Sequence, residues 1–400
     1  MQMQFVFKIK NLVSICLIFL GTLVFSQVKN FDSDGFKTGA DRPELYLPLL
    51  KNKTVSIVTN QTGLLKNGTH LVDFLVSEKI KIKSIFAPEH GFRGDADAGE
   101  HVKNGIDQKT GLPIISLYGN NKKPKPEQLA GTDIILFDIQ DVGVRFYTYI
   151  STLTYVMEAA AEHQIEVMVL DRPNPQDGFI DGPVLKKAWK SFVGMHEVPV
   201  IYGLTIGEYG KMVNGEKWLK EGIQANYTLI PMQNYHKTKR YGMMEKPSPN
   251  LPNDLSVNLY PSLCFFEGTE VSVGRGTDFP FQIYGSPWTK DLPYRFTPHP
   301  NFGAKDPFLN GKECFGENLT TYPEDLRRLN LEWLLKAYHH YKNPQKSFFL
   351  KNHFFDKLSG SDQLRKQIVA GKSHEEIRES WKNDLEKFQK IRERYIVYPD

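Results

Sequence analysis

Residues 133–171 read DIILFDIQDVGVRFYTYISTLTYVMEAAAEHQIEVMVLD, and this stretch decides the fold. The run 133–137 is almost wholly apolar, which predicts a strand buried on both faces. Residues 149–163 place Leu153, Val156, Met157 and Ala160 on one helical stripe. A second apolar strand follows at 166–170 and ends in Asp171-Arg172-Pro173-Asn174-Pro175. Strand, helix and strand, with unbroken apolar strands, predict a parallel sheet with crossover helices.

Upstream the same alternation continues. Strands are expected at 55–59, 82–86 and 113–117, and a helix at 70–79 carrying Leu71, Phe74 and Leu75. Together these predict a Rossmann-like parallel-sheet domain over 27–190. Past Pro183 the pattern changes. A helix is expected at 205–219, opened by Thr205 with Glu208 three residues on. A strand follows at 226–231, then a helix at 330–341. A long charged helix at 374–394 carries Ile377, Trp381, Leu385, Phe388 and Ile391 on one face. These elements predict a smaller α+β domain over 191–400 that closes a cleft. The fold class is therefore α/β.

Composition narrows the function. With 400 residues, 40% of them hydrophobic, the chain has ample core. A net charge of +4 is too small to predict a nucleic-acid partner, which needs a clustered basic face. Lys8 and Lys10 precede an apolar run at 12–25 and then Ser26. This predicts a signal peptide over 1–26, hence export to the periplasm or the extracellular space. The run is short for a membrane span, so no stable insertion is expected once the signal is removed. An uncleaved anchor is the second reading. Cys16 sits inside the apolar run, an unsuitable place for lipid attachment. The bonding of Cys264 and Cys314 is left open.

Several chemistries lack their parts. No G-x-G-x-x-G follows the first strand and no Walker motif occurs; Gly274-Arg275-Gly276 is only a G-x-G, so nucleotide and dinucleotide cofactors lack their phosphate cradle. Asp95 and Asp97 faintly suggest a calcium loop without its other ligand positions. His90 and His101 come with neither H-E-x-x-H nor clustered cysteines, so no metal is expected. G-x-S-x-G, the mark of a serine hydrolase, is absent.

Four polar loops remain. The first holds Glu89, His90 and Arg93, directly after the strand at 82–86. The second holds Asp138, Gln140, Asp141, Arg145, Tyr147 and Tyr149. The third holds Asp171, Arg172 and Asn174, and the fourth Glu267 and Arg275. Loops leaving the carboxyl ends of parallel strands bind ligands. The first three leave one sheet edge, so Glu89, Asp138, Tyr147 and Asp171 are expected in one crevice. Carboxylates, amides, arginines and aromatics together suit a sugar. Plainer roles exist as well: Asp138 and Asp171 could cap helices, and Arg172 could pair with one of them.

The motifs S-I-V-T-N-Q-T-G, F-A-P-E-H-G-F-R-G, F-D-I-Q-D-V-G-x-R-F-Y-T-Y, D-R-P-N-P and E-G-T-x-x-S-x-G-R-G-T occur in that order. In this the chain resembles the NamZ-type exo-β-N-acetylmuramidases, from about Arg42 to Pro399. The resemblance implies a Rossmann-like domain plus a smaller α/β domain with the active site between them. It implies release of N-acetylmuramic acid from the non-reducing end of peptidoglycan fragments of MurNAc-GlcNAc type, without a cofactor. It also implies Glu89 as the catalytic carboxylate, with Tyr147 or Tyr149 nearby. Glycosidic cleavage needs a proton donor and a second group at the anomeric carbon. Glu89 is the expected donor, with Tyr147 and Asp138 in support. Asp138, Asp141 or the substrate's own acetamido group could fill the second role. Arg145 or Arg275 is expected to read the lactyl carboxylate, since guanidinium binds carboxylate bidentately. His90, Arg93, Gln140, Asp141, Asp171, Arg172, Asn174 and Glu267 complete the expected substrate-binding set. Two other classes stay in view: a non-catalytic peptidoglycan-binding protein, and an amide or ester hydrolase acting on cell-wall material.

Overall fold

The computed structural model describes residues 35–93, 104–323 and 326–399. The segment 1–26, expected to be a signal peptide, with Cys16, the Asp95–Asp97 segment and His101 lie outside the described residues.

The main sheet uses Thr54–Thr59 (β1), Lys81–Ala87 (β2), Gly105–Ile106 (β3), Pro113–Ser116 (β4), Ile134–Asp138 (β5), Glu166–Leu170 (β6) and Asn226–Ile230 (β7). Their order is β3-β4-β2-β1-β5-β6-β7, parallel throughout except for β3 against β4. Successive side chains of a strand point to opposite faces, and the core is divided accordingly. Val55, Ile57, Ile134, Leu136, Met168 and Leu170 pack on one face, with Tyr46 and Leu50 of Pro43–Leu50 (α1) and Leu71, Val72 and Leu75 of Leu71–Ser77 (α2). Val58, Ile135, Phe137, Val167 and Val169 pack on the other. There they meet Leu153, Val156 and Met157 of Tyr149–Glu162, and Met212 and Val213 of Ile206–Gly215. A short helix, Pro126–Leu129 (α3), precedes β5, so these last two helices are α4 and α5.

β1 lies between β2 and β5, and the chain winds outward from it in both directions. The loops after these three strands therefore meet at a topological switch point, where doubly wound sheets open a crevice.

The sheet does not end at residue 190. β7 pairs along its whole length with β6, Glu166 opposite Asn226 through Leu170 opposite Ile230. The first layer thus runs past the boundary expected from the sequence, because the change of pattern after Pro183 marks a long connection within the layer. Thr205 and Glu208 form the expected reciprocal cap. The helix stops at Gly215, short of 219, because Lys217 takes a left-handed conformation (φ 57°) and Trp218 N–H turns back to the Val213 carbonyl.

The remainder holds Asp254–Leu263 (α6) and a small antiparallel sheet of Ile283–Ser286 (β8), Tyr294–Phe296 (β9) and Cys314–Asn318 (β10), ordered β8-β10-β9. Glu332–His340 (α7), Phe354–Ser359 (α8), Gln363–Val369 (α9), His374–Glu379 (α10) and Lys382–Arg392 (α11) follow. The single long helix expected at 374–394 is thus two helices. Ser380 turns its hydroxyl back onto the Ile377 carbonyl, and Trp381 is buried at the break. Cys264 and Cys314 are both buried free thiols.

Candidate active site

The crevice holds a cavity of about 450 Å³, sized for a small ligand. Loops from both halves line it. Glu89 and His90 follow β2; Tyr118 and Lys122 follow β4; Phe146, Tyr147 and Thr148 lead into α4. Tyr260 and Cys264 come from α6 and its end, and Glu267, Arg275 and Phe281 from the segment before β8.

Glu89 is placed by an unusual backbone. After Pro88 the chain turns sharply, with Gly91 N–H donating to the Pro88 carbonyl. His90 is held at φ 72° and Gly91 at 79°. Left-handed geometry is costly for a side chain with a Cβ and clusters at functional sites. The Glu89 carboxylate accepts from the Thr148 hydroxyl at 2.6 Å. Thr148 is the N-cap residue of α4, yet its side chain makes no capping bond. A capping threonine contributes about 1 kcal/mol to its helix. Here that contribution is given up so that the hydroxyl can hold Glu89. The Tyr118 phenol lies against the same carboxyl; burial first, then the Glu89 charge, pushes the phenol up.

Tyr147 and Tyr149 stand edge to face, ring centroids 4.8 Å apart. Both hydroxyls donate to the Pro247 carbonyl, at 2.9 and 3.2 Å, and the Tyr149 oxygen accepts from Asn60 at 2.8 Å. Gln61 donates to that same carbonyl at 3.2 Å. Burial pushes both phenols up, so they stay protonated donors. Tyr147 lines the cavity; Tyr149 stands behind it.

On the facing wall Glu267 accepts from Arg275 Nε at 2.8 Å, with Nη2 of Arg275 at 2.8 Å from the same oxygen. Burial opposes the Arg275 charge, but the Glu267 carboxylate outweighs it and the guanidinium is pushed up. The guanidinium also lies 5.0 Å over the Phe281 ring. Burial pushes the Cys264 thiol well up, and it donates to the other Glu267 oxygen.

Of the expected site residues, the structure therefore brings together Glu89, His90, Tyr147, Glu267 and Arg275. The others do not reach the cavity. Asp138 is wholly buried at the end of β5, gripped by Arg172 through Nε at 2.6 Å and Nη2 at 2.9 Å. An acid held so by a buried cation braces the loops, which is the plainer role foreseen for Arg172. Asp171 accepts from Thr205, Tyr398 and the Gly207 N–H, capping α5. Arg145 is buried with its amino groups on the carbonyls of Pro183, Val198 and Leu358, so it cannot read a substrate carboxylate. Gln140 donates to the Asp141 and Pro173 carbonyls, and Asn174 to the Leu204 carbonyl. Asp141 is buried against the Tyr202 phenol and the Gly143 N–H. Arg93 pairs with Asp107 at 2.8 Å outside the cavity.

Sequence reasoning missed Tyr118, Lys122, Thr148 and Tyr260. Thr148 carried the one available signal, standing inside the quoted F-Y-T-Y motif just before an expected helix.

Two carboxylates in one aromatic-walled cavity, at the switch point of a doubly wound sheet, are the equipment of a glycoside hydrolase. Residues 55–255 match the family described as Exo-beta-N-acetylmuramidase NamZ, N-terminal, and residues 258–398 its C-terminal counterpart. The chain belongs to the NamZ exo-β-N-acetylmuramidase family. It is similar to the peptidoglycan β-N-acetylmuramidase NamZ of Bacillus subtilis (strain 168), 40% identical over 372 residues, which cover 88% of this chain and 89% of that relative. It is also similar to the crystal structure of a DUF1343 family protein from Bacteroides fragilis, with a TM-score of 0.84 and 43% identity, covering 92% of this chain and all of that one. A second DUF1343 protein of the same organism gives a TM-score of 0.77 at 29% identity, covering 91% and 99%.

Proposed function

We propose that this chain is an exported exo-β-N-acetylmuramidase that frees N-acetylmuramic acid from the non-reducing end of peptidoglycan fragments. Family membership supports the reaction. The observation that carries the site is the Thr148 hydroxyl, withdrawn from its own helix to hold Glu89 inside the cavity. In this reading Glu89 hands a proton to the departing glycosidic oxygen. Thr148 and the Tyr118 phenol orient the carboxyl within the cavity. Glu267, the second carboxylate lining the cavity, takes the supporting role once foreseen for Asp138 or Asp141. Paired with Arg275, it orients the acetamido group of the sugar, whose carbonyl can itself attack the anomeric carbon. Tyr147 and Tyr260 wall the sugar ring.

Glu89→Gln keeps size and hydrogen bonding but cannot donate the proton. Its kcat on a chromogenic β-N-acetylmuramide is expected to fall about 10²- to 10⁴-fold, with the near-ultraviolet dichroism unchanged. Near wild-type turnover would remove Glu89 from the role. Mass analysis of products from a muropeptide digest separates the other classes. Free muramic acid marks a glycosidase, released peptide marks an amide or ester hydrolase, and intact glycan marks a binding protein. Export rests on the basic and apolar N-terminal pattern. The protein recovered from its native host is expected to begin beyond residue 25, as read by N-terminal sequencing; an intact apolar run would favour the anchor.

A further inference from the structure

Muramic acid differs from glucosamine by a lactyl ether that ends in a carboxylate, so a muramidase needs a cation for that group. Four charged side chains line the cavity: Glu89, Lys122, Glu267 and Arg275. Arg275 places two of its nitrogens on Glu267. That pair is already neutral, and pulling it apart for a substrate would leave Glu267 partly buried without its counter-charge. Arg145 lies outside the cavity with its amino groups on backbone carbonyls. Lys122 differs from both. It makes no ion pair among the described residues, and its ammonium sits 4.4 Å over the ring of Phe192, which also lines the cavity. A ring face holds a cation in place without neutralising it, because the ring has no net charge. The lysine is half-buried, so its charge is less screened than one on an open surface. Lys122 also stands four residues beyond Tyr118, whose phenol lies against Glu89. The segment after β4 thus brings the cation and a partner of the acid to the same cavity.

We infer that Lys122, seated on Phe192, is the residue that binds the lactyl carboxylate of the substrate and so sets the preference for muramic acid. This deepens the proposed function and rests on it.

The test compares two substrates with the same chromogenic leaving group: the β-N-acetylmuramide and its lactyl methyl ester, which lacks the charge. Wild type is expected to prefer the acid, and added salt is expected to erode that preference through screening. In Lys122→Met the acid-over-ester ratio of kcat/KM is expected to fall at least about tenfold, the scale of one charged hydrogen bond. Lys122→Arg is expected to restore most of it. A ratio unchanged in Lys122→Met overturns the inference, as does a wild type that cleaves the ester as efficiently as the acid; that wild-type comparison needs no variant and can overturn the inference even if one fails to fold. Should wild type cleave neither substrate, the proposed function itself has failed, a result distinct from an unchanged ratio.

Discussion

Asp141 shows how burial alone can redirect a residue that looks catalytic. Its carboxyl is pushed up to about 6, chiefly by burial, against the opposing bonds from Tyr202 and the Gly143 N–H. Asp171, capping α5, is pushed up to about 6 by the same cause. An acid whose folded pKa exceeds its unfolded value binds more protons when folded. Its contribution to stability is full below the unfolded value, 3.8, and is lost as pH rises through about 6. These two groups therefore weaken the fold as pH climbs across that window, opposite to an acid held in a salt bridge. Asp141→Asn is expected to flatten melting temperature against pH between about 4 and 6.5 relative to wild type. Parallel profiles for the two proteins would mean that Asp141 does not titrate as described.

The decisive element is the connection from β5 to α4, because it carries Phe146, Tyr147 and Thr148 to the cavity. Gly143 governs its path, with φ at 74° and no room for a side chain: a Cβ there would lie 1.8 Å from the Asn174 Oδ1. Asn174 cannot simply turn away, since it joins the Leu204 carbonyl and the Gln176 N–H. Gly143→Ala combines left-handed strain with overpacking and is expected to cost about 2–4 kcal/mol in urea unfolding. Activity should fall beyond what the unfolded fraction explains, because Tyr147 and Thr148 are moved. A variant with wild-type stability would show that the loop has a second path. At this scale much was legible in the sequence. The five expected parallel strands form because apolar side chains at alternate positions feed two buried faces. The break at Ser380 was not legible, since the apolar stripe from Ile377 to Ile391 runs through it unbroken. Nor could residue type separate Glu89 from Asp138. Both follow a buried strand in a polar loop, and only the position of Arg172 in space decides which acid is neutralised.

Across the whole molecule one core ignores the division into two family segments. Val58 and Phe137 of the sheet share a continuous apolar cluster with Phe265, Trp333, Phe355 and Phe388. The C-terminal segment closes back on the sheet edge, with Tyr398 donating to Asp171 and the Val397 N–H to Glu208. Lining residues from 89 to 358 are therefore set by one packed body, which is why most of the cavity could not be read from any local pattern. The Pro247 carbonyl, which receives Tyr147, Tyr149 and Gln61, gives this a practical edge. An oxygen has two lone pairs, so three donors are one more than it needs. The anchorage is redundant: take away the Tyr147 hydroxyl and the wall still hangs from the other two. A phenylalanine there makes a clean probe, in which slowed turnover speaks of chemistry rather than of a sagging scaffold.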